Sequence, residues 1–329
     1  MHCICFDLEG PLSPQDNAYE LMGLFPDGDK IFEVISRYDD LLALEGKEGY
    51  EPGDTLALIV PFLIYHGITE ADITALADQA RLVSGAHWLI SGLNSRGWGV
   101  YCISTSYQQY AHRICHRVGI TRDRLACTAF DLDRYLESFS KSELSVVEQL
   151  ERGIKELRPV HDDLQIKQRL DRFFWGELTH TKLGEVLAAT KPMGGGRKVA
   201  ALQMFAAKEN PALSDWIVVG DSITDAKMLQ AVDEAGGLAI AFNANEYALP
   251  YATIGLASTN LDDLDVALKA WEEGGGQAVE KVVKEMESAG SEGERNHFHW
   301  LSGRRDLEQP LSIHKRIRGM VRRQAAKLG

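Results

Sequence analysis

Apolar positions follow two rhythms along this chain. Short continuous apolar blocks at 2–6, 98–103, 125–130, 216–220, 237–242 and 252–257 read as strands buried on both faces. Between them, apolar residues recur at helical spacing. Tyr107, Tyr110, Ala111, Ile114 and Val118 form one stripe stopped by Gly119, and Ala226, Leu229 and Val232 form another closed by Gly236 and Gly237. A helix near 86–95, one starting at Lys198 and a last one over 261–271 complete an alternation of strand and helix, which predicts an α/β fold with a parallel sheet.

Two stretches break the alternation. From Asn17 to about Ser84 only helical spacing is found: Ala18, Leu21, Met22 and Phe25, then Ile31, Val34 and Ile35, then Ile73, Leu76, Ala77 and Ala80. A second helical stretch, rich in charge, runs over 136–189. The expected organisation is therefore a core of 1–11, 85–135 and 190–271, a helical insert at 12–84, a second insertion at 136–189 and a polar, helical tail at 272–329. The tail turns basic at Lys315, Arg316, Arg318, Arg322, Arg323 and Lys327, which reads as a solvated helix face.

Composition narrows the function. A net charge of −13 over 329 residues argues against a nucleic-acid partner, and an anionic substrate must be met by a local cation or a metal. The 5 cysteines show no zinc or CxxC spacing and read as small core residues of a reduced compartment. No signal peptide is legible, and the longest apolar run, 56–65 with Pro61 inside it, is about half of the ~20 residues that cross a bilayer. The expectation is a cytoplasmic protein without a membrane span.

Candidate chemistry gathers at strand ends, where α/β sheets build their crevices. The first strand delivers Asp7, Leu8, Glu9 and Gly10; the second ends in Ser104, Thr105 and Ser106; Lys198 opens a helix; the fourth runs into Gly220, Asp221 and, four residues on, Asp225. Hydroxyls at a helix start can cradle a phosphate or simply cap the helix, and an acid in such a turn can likewise be a cap. A lysine is disfavoured at a helix N-terminus, so Lys198 implies an anion nearby. Asp221 and Asp225 share a face, and with Asp7 they form an oxygen-rich set suited to Mg²⁺.

The order strand-Asp7-x-Glu9-Gly10, strand-Ser104, Lys198, strand-Gly220-Asp221-x-x-x-Asp225 resembles the haloacid dehalogenase (HAD) superfamily, in a phosphoserine phosphatase-like subgroup with a type 1 helical cap. The resemblance implies a Rossmann-like core, Mg²⁺ and hydrolysis of a small phosphorylated metabolite through an aspartyl-phosphate. By that likeness Asp7 is the nucleophile, Glu9 the acid/base, Ser104 a hydrogen-bond donor to the phosphoryl group and Lys198 its counter-charge. Thr105, Ser106 and, in the cap, Arg37 are substrate-binding candidates; Asp7, the Glu9 carbonyl, Asp221 and Asp225 form the metal set. Glu9 departs from the usual Asp by one methylene, and a similar DLEG stretch in phosphoserine:homoserine phosphotransferases keeps transfer to an alcohol open as the alternative, beside a non-catalytic accessory protein. Residues 9–20 with Asn243–Tyr247 also resemble HAD proteins described as subunit R of energy-converting hydrogenase A.

Overall fold

The computed structural model describes residues 2–157, 162–209, 212–291 and 293–326, with side chains to 323. A seven-stranded sheet in the order β3-β2-β1-β4-β5-β6-β7 forms its centre. The strands are β1 (Cys3–Phe6), β2 (Gly99–Tyr107), β3 (Leu125–Thr128), β4 (Trp216–Gly220), β5 (Leu238–Phe242), β6 (Ile254–Ala257) and β7 (His297–Trp300). All pairs are parallel except β6 with β7. Strand β1 is the middle of the sheet, and the chain leaves it toward β2 on one side before returning to β4 on the other. That reversal of strand order opens a crevice at the carboxyl ends of β1 and β4.

The apolar blocks form strands because both faces of the sheet are covered. Ile4 and Phe6 pack into one layer and Cys3 and Cys5 into the other, all fully buried. Helix Gly196–Glu209 covers the second face with Ala201, Leu202 and Phe205, and so carries Lys198 toward the crevice. The cysteines are free, four of them buried.

The insert after β1 is helical throughout, with Gly28–Glu45, Val60–Tyr65 and Glu70–Gln79 among its helices. Its apolar run 56–65 is buried. The second insertion contributes Lys141–Leu157, Asp163–Arg172 and Lys182–Ala189, which pack on the helices of the first, so both inserts share one layer above the crevice. Among the described residues no single helix is long and apolar enough to cross a membrane; one sharply bent pair, Thr55–Tyr65 with Glu70–Gln79, matches only by joint length and composition.

The C-terminal segment differs from the expected polar helical tail. The helix expected over 261–271 continues as Asp265–Ala289 beyond a break at Gly274 and Gly275, β7 then joins the sheet, and helix Glu308–Ala326 returns over the strand ends. Charge concealed this role, because the buried positions His314, Ile317 and Val321 are separated by polar and basic residues that dominate the pattern. Lys327 lies outside the described residues.

Candidate active site

Three loops meet at the crevice. Strand register sets Phe6 beside Val219, which places Asp7 next to the turn after β4. The Asp7 N–H donates to the Val219 carbonyl at 2.8 Å, and Asp7 Oδ1 accepts the Leu8 N–H at 2.7 Å. Gly10 then turns the chain at φ +103°, and a Cβ there would lie 2.3 Å from Asp221 Oδ2. Glycine is thus required twice over, by the left-handed backbone and by the carboxylate against it.

Lys198 Nζ bridges Asp7 Oδ1 at 2.8 Å and Asp225 Oδ1 at 2.7 Å, with no exposed side-chain surface. Burial opposes its charge, but the attraction of Asp225 and Asp7 outweighs burial and raises its pKa. Asp225 is oriented from its other oxygen, which accepts the N–H groups of Asp221 at 3.0 Å and Ser222 at 3.1 Å. Burial and then the Asp225 charge push Asp7 well above the usual carboxylate range, against the pull of Lys198. Burial raises Asp221 as well, with Arg318 opposing.

Glu9 lies on the other side of the turn. Its Oε1 accepts the Ser106 hydroxyl at 2.6 Å and the Asn17 N–H at 3.1 Å. Burial and then the charge of Asp16 push its carboxyl up to about 7, although both hydrogen bonds favour the ionised form. Asp7, Glu9 and Asp221 line one cavity of about 200 Å³, roofed by the first insert at Phe32, Ser36 and Asp39.

The expected substrate contacts divide. Thr105 lines the cavity and donates to the Met193 carbonyl at 3.1 Å, tying the end of β2 to the loop before Lys198. Ser104 is fully buried and its hydroxyl accepts the Ser106 N–H at 3.1 Å, while Ser106 is engaged with Glu9. Side chains alternate across a strand, so Thr105 and not Ser104 falls on the face shared with Asp7. Arg37 is also displaced from its expected role: its guanidinium makes two bonds to Asp163 of the second insertion, at 2.8 and 2.6 Å. A partner 126 positions away leaves no mark in local sequence.

The cations that do reach the cavity are Arg318 and Arg322, from the helix read as a solvated face. Arg318 Nη1 ion-pairs the Asp221 carboxylate and donates to the carbonyls of Asp221 at 2.9 Å and Asn243 at 3.2 Å. The signal available was their spacing of four on one helix face, which is weak without knowing where the helix packs.

Oxygen atoms of Asp7, Asp221 and Asp225 lie within 4.8 Å of one another, all buried. Lys198 and the loop N–H groups occupy Asp225, whereas Asp7 Oδ2 and Asp221 Oδ1 have no hydrogen-bond donor among the described residues. Two free carboxylate oxygens in an all-oxygen set, partly offset by Lys198 and Arg318, fit a hard dication such as Mg²⁺. Asp225 belongs to the support of that set, since both its oxygens are taken.

No family model matches the chain, and no curated protein matches it. Among solved structures, gene product AF1437 from Archaeoglobus fulgidus is 30% identical, with 100% of this chain and 99% of that one covered and a TM-score of 0.82. Phosphoserine phosphatase in its apo form is 16% identical over 80% of this chain and 96% of its own, with a TM-score of 0.50. A HAD family hydrolase from Salmonella enterica serovar Typhi is 16% identical over 75% and 64%, with a TM-score of 0.48. The parallel sheet with its helical insertions is the HAD core fold. On identity and full-length coverage, the chain belongs to the family of the Archaeoglobus gene product, a family built on that core.

Proposed function

We propose that this protein is a Mg²⁺-dependent phosphohydrolase acting on a small phosphomonoester through an aspartyl-phosphate on Asp7. The observation that carries the reading is Lys198, a buried cation held between Asp7 and Asp225 at the mouth of a strand. A lysine is brought out of water at considerable cost. Here it offsets the charge of a carboxylate that must attack an anion.

In the first step an oxygen of Asp7 bonds to phosphorus and the ester oxygen leaves with its electron pair. Glu9 supplies that oxygen with a proton, and a carboxyl pushed up to about 7 still carries one near neutral pH. In the second step Glu9 takes a proton from water, the water oxygen bonds to phosphorus, and Asp7 is released with inorganic phosphate. Lys198 holds the charge of the transferring group throughout, and Thr105 shapes the cavity wall, its hydroxyl tied to the Met193 carbonyl. Asp7, Asp221 and the Glu9 carbonyl would hold Mg²⁺, which when bound supplies charge neutralisation at the phosphoryl oxygens. Arg318 fixes the turn that carries Asp221.

Assignment to the phosphoserine phosphatase-like subgroup, with residues 12–84 as a type 1 cap, belongs to the same proposal. The test is hydrolysis of p-nitrophenyl phosphate with and without Mg²⁺. Wild type is expected to turn over only with the metal, and Asp7→Asn to lose about a thousandfold or more. Equal rates in the two proteins would remove Asp7 from the chemistry. Glycerol added to the same assay separates hydrolysis from transfer, because transfer releases nitrophenol in excess of inorganic phosphate. Absence of turnover with every phosphomonoester tried would favour an accessory protein, as the likeness to subunit R of energy-converting hydrogenase A implies.

A further inference from the structure

A second cavity, of about 330 Å³, opens where the two insertions meet, and none of its lining residues takes part in the chemistry proposed above. The loop after helix Gly28–Glu45 supplies Lys47, Glu48 and Tyr50, and the second insertion supplies Trp175 and Lys191. Buried Leu58 and Leu187 add apolar surface.

The aromatic walls are fixed in advance. Trp175 stands on a wide π-helical turn, Phe173–Glu177, a rare form that occurs often at functional sites. The turn buries Phe173 and Phe174 and leaves Trp175 37% exposed. The indole N–H donates to the Tyr38 hydroxyl at 2.7 Å, so the ring is held by its one polar group. Tyr50 meets Trp175 edge-to-face, with centroids 6.5 Å apart, and is held in the same way, its hydroxyl donating to Asp39 at 2.5 Å. A ligand that packs on these rings is spared the cost of ordering them.

Charge gives the cavity a sign. Lys47 Nζ lies 4.7 Å from the Trp175 ring centroid, a cation–π contact. Among the described residues neither Lys47 nor Lys191 makes an ion pair. Of the acids in the lining, Asp54 is taken by the Arg197 guanidinium in bonds of 2.5 and 3.2 Å, and Glu48 alone is uncommitted. Two ammonium groups against one free carboxylate favour an anion, in a chain whose net charge is −13.

We infer that this cavity is a second ligand site, for a small aromatic carboxylate whose ring packs on Trp175 and Tyr50 and whose carboxylate is met by Lys47 and Lys191. Its volume lies at the small end of ligand sites and suits one ring or two fused rings. The ligand ring takes the place of the Lys47 ammonium over the indole, and the ammonium turns to the carboxylate. The contact given up is weak at an exposed site, and a packed ring with a neutralised anion replaces it. The inference is independent of the phosphoester reading, because the two cavities share no lining residue.

The test is calorimetry on the full chain with 2-naphthoate, its saturated counterpart decahydro-2-naphthoate, and 2-naphthylmethylamine, which keeps the rings and reverses the charge. Wild type is expected to bind 2-naphthoate with a Kd below about 1 mM, about threefold or more tightly than the saturated acid and about tenfold or more tightly than the amine. Trp175→Leu should erase the preference for the flat ring, and Lys47→Gln combined with Lys191→Gln should erase the preference for the acid over the amine. The lysine variant leaves the apolar packing untouched, so its result stands even where Trp175→Leu loosens the insertion. No binding of 2-naphthoate by wild type, or an affinity unchanged in both variants, would overturn the site. Tighter binding of the amine would overturn the ligand class and make Glu48 the reader, and equal affinity for the saturated acid would remove the aromatic walls from recognition.

Discussion

The ion pairs at Lys198 and at Arg37 have nearly the same geometry and opposite meanings. Lys198 lies 2.8 and 2.7 Å from its carboxylates and Arg37 lies 2.6 Å from Asp163, so distance alone would rank the second pair higher. Water decides otherwise. Lys198 and Asp225 have no exposed side-chain surface, whereas Arg37 and Asp163 keep 43% and 48% of theirs. In the core, each charge has given up hydration that only its partners replace, so the three groups stand or fall together. Between the insertions, either charge can return to solvent and lose little. A buried cluster of this kind is a costly way to hold a fold together, and the proposed phosphoryl chemistry gives a physical reason for one at a strand end.

The strongest way to break the contrast is to remove the shared cation. Lys198→Met leaves Asp7 and Asp225 facing each other without a counter-charge. Loss of one partner from a buried pair typically costs about 3–5 kcal/mol, and a loss in that range is expected from denaturant unfolding. Adding Asp225→Asn should recover part of it, because the remaining carboxylate then has no like charge beside it. A cost of under about 1 kcal/mol for the single variant would show that water enters the cluster and that the pair resembles Arg37 with Asp163 after all.

A buried carboxylate with no cation sharpens the same comparison. Asp39 accepts the Tyr50 hydroxyl at 2.5 Å, and burial pushes its carboxyl up to about 6, against that hydrogen bond. Its folded pKa is raised, so the folded state binds more protons than the unfolded chain. The stability it confers is full below its ordinary value of 3.8 and is lost as pH rises through about 6. Asp39→Asn keeps an oxygen for Tyr50 and cannot ionise. Between about pH 4 and pH 7, wild type should therefore lose about 3 kcal/mol relative to the variant. Parallel stability curves would mean that Asp39 is hydrated and charged in the folded protein.

The sequence made the crevice legible because its chemistry is written at strand ends. An apolar block followed by Asp7, or by Gly220 and Asp221, declares both the strand and the side chain that it delivers. What stayed hidden depended on contacts between distant segments. Strand alternation beyond Ile103 decides between Ser104 and Thr105, and a bulge between Ser104 and Tyr107 makes the register hard to follow by eye. Strand β7 is only His297–Trp300, too short and too polar to be told from a loop. Arg318 and Arg322 sit among other basic residues, and only the packing of His314 and Ile317 shows which face of that helix turns inward. Arg37 shows the converse, since a cation in a cap reads as a ligand until its partner on another insertion, here Asp163, is known.

That partner makes Arg37 the smallest effect and the sharpest control. A double-mutant cycle of Arg37→Ala with Asp163→Ala should give a coupling of at most about 1 kcal/mol, falling as salt is added. Neither variant should change KM for an aryl phosphate, because the Arg37 guanidinium is turned toward the second insertion. A rise in KM confined to Arg37→Ala would return Arg37 to the substrate. A rise shared by both variants would mean instead that the pair holds the two insertions in register over the cavity, and the exposed bridge would then act on catalysis through position, although its charges remain in water.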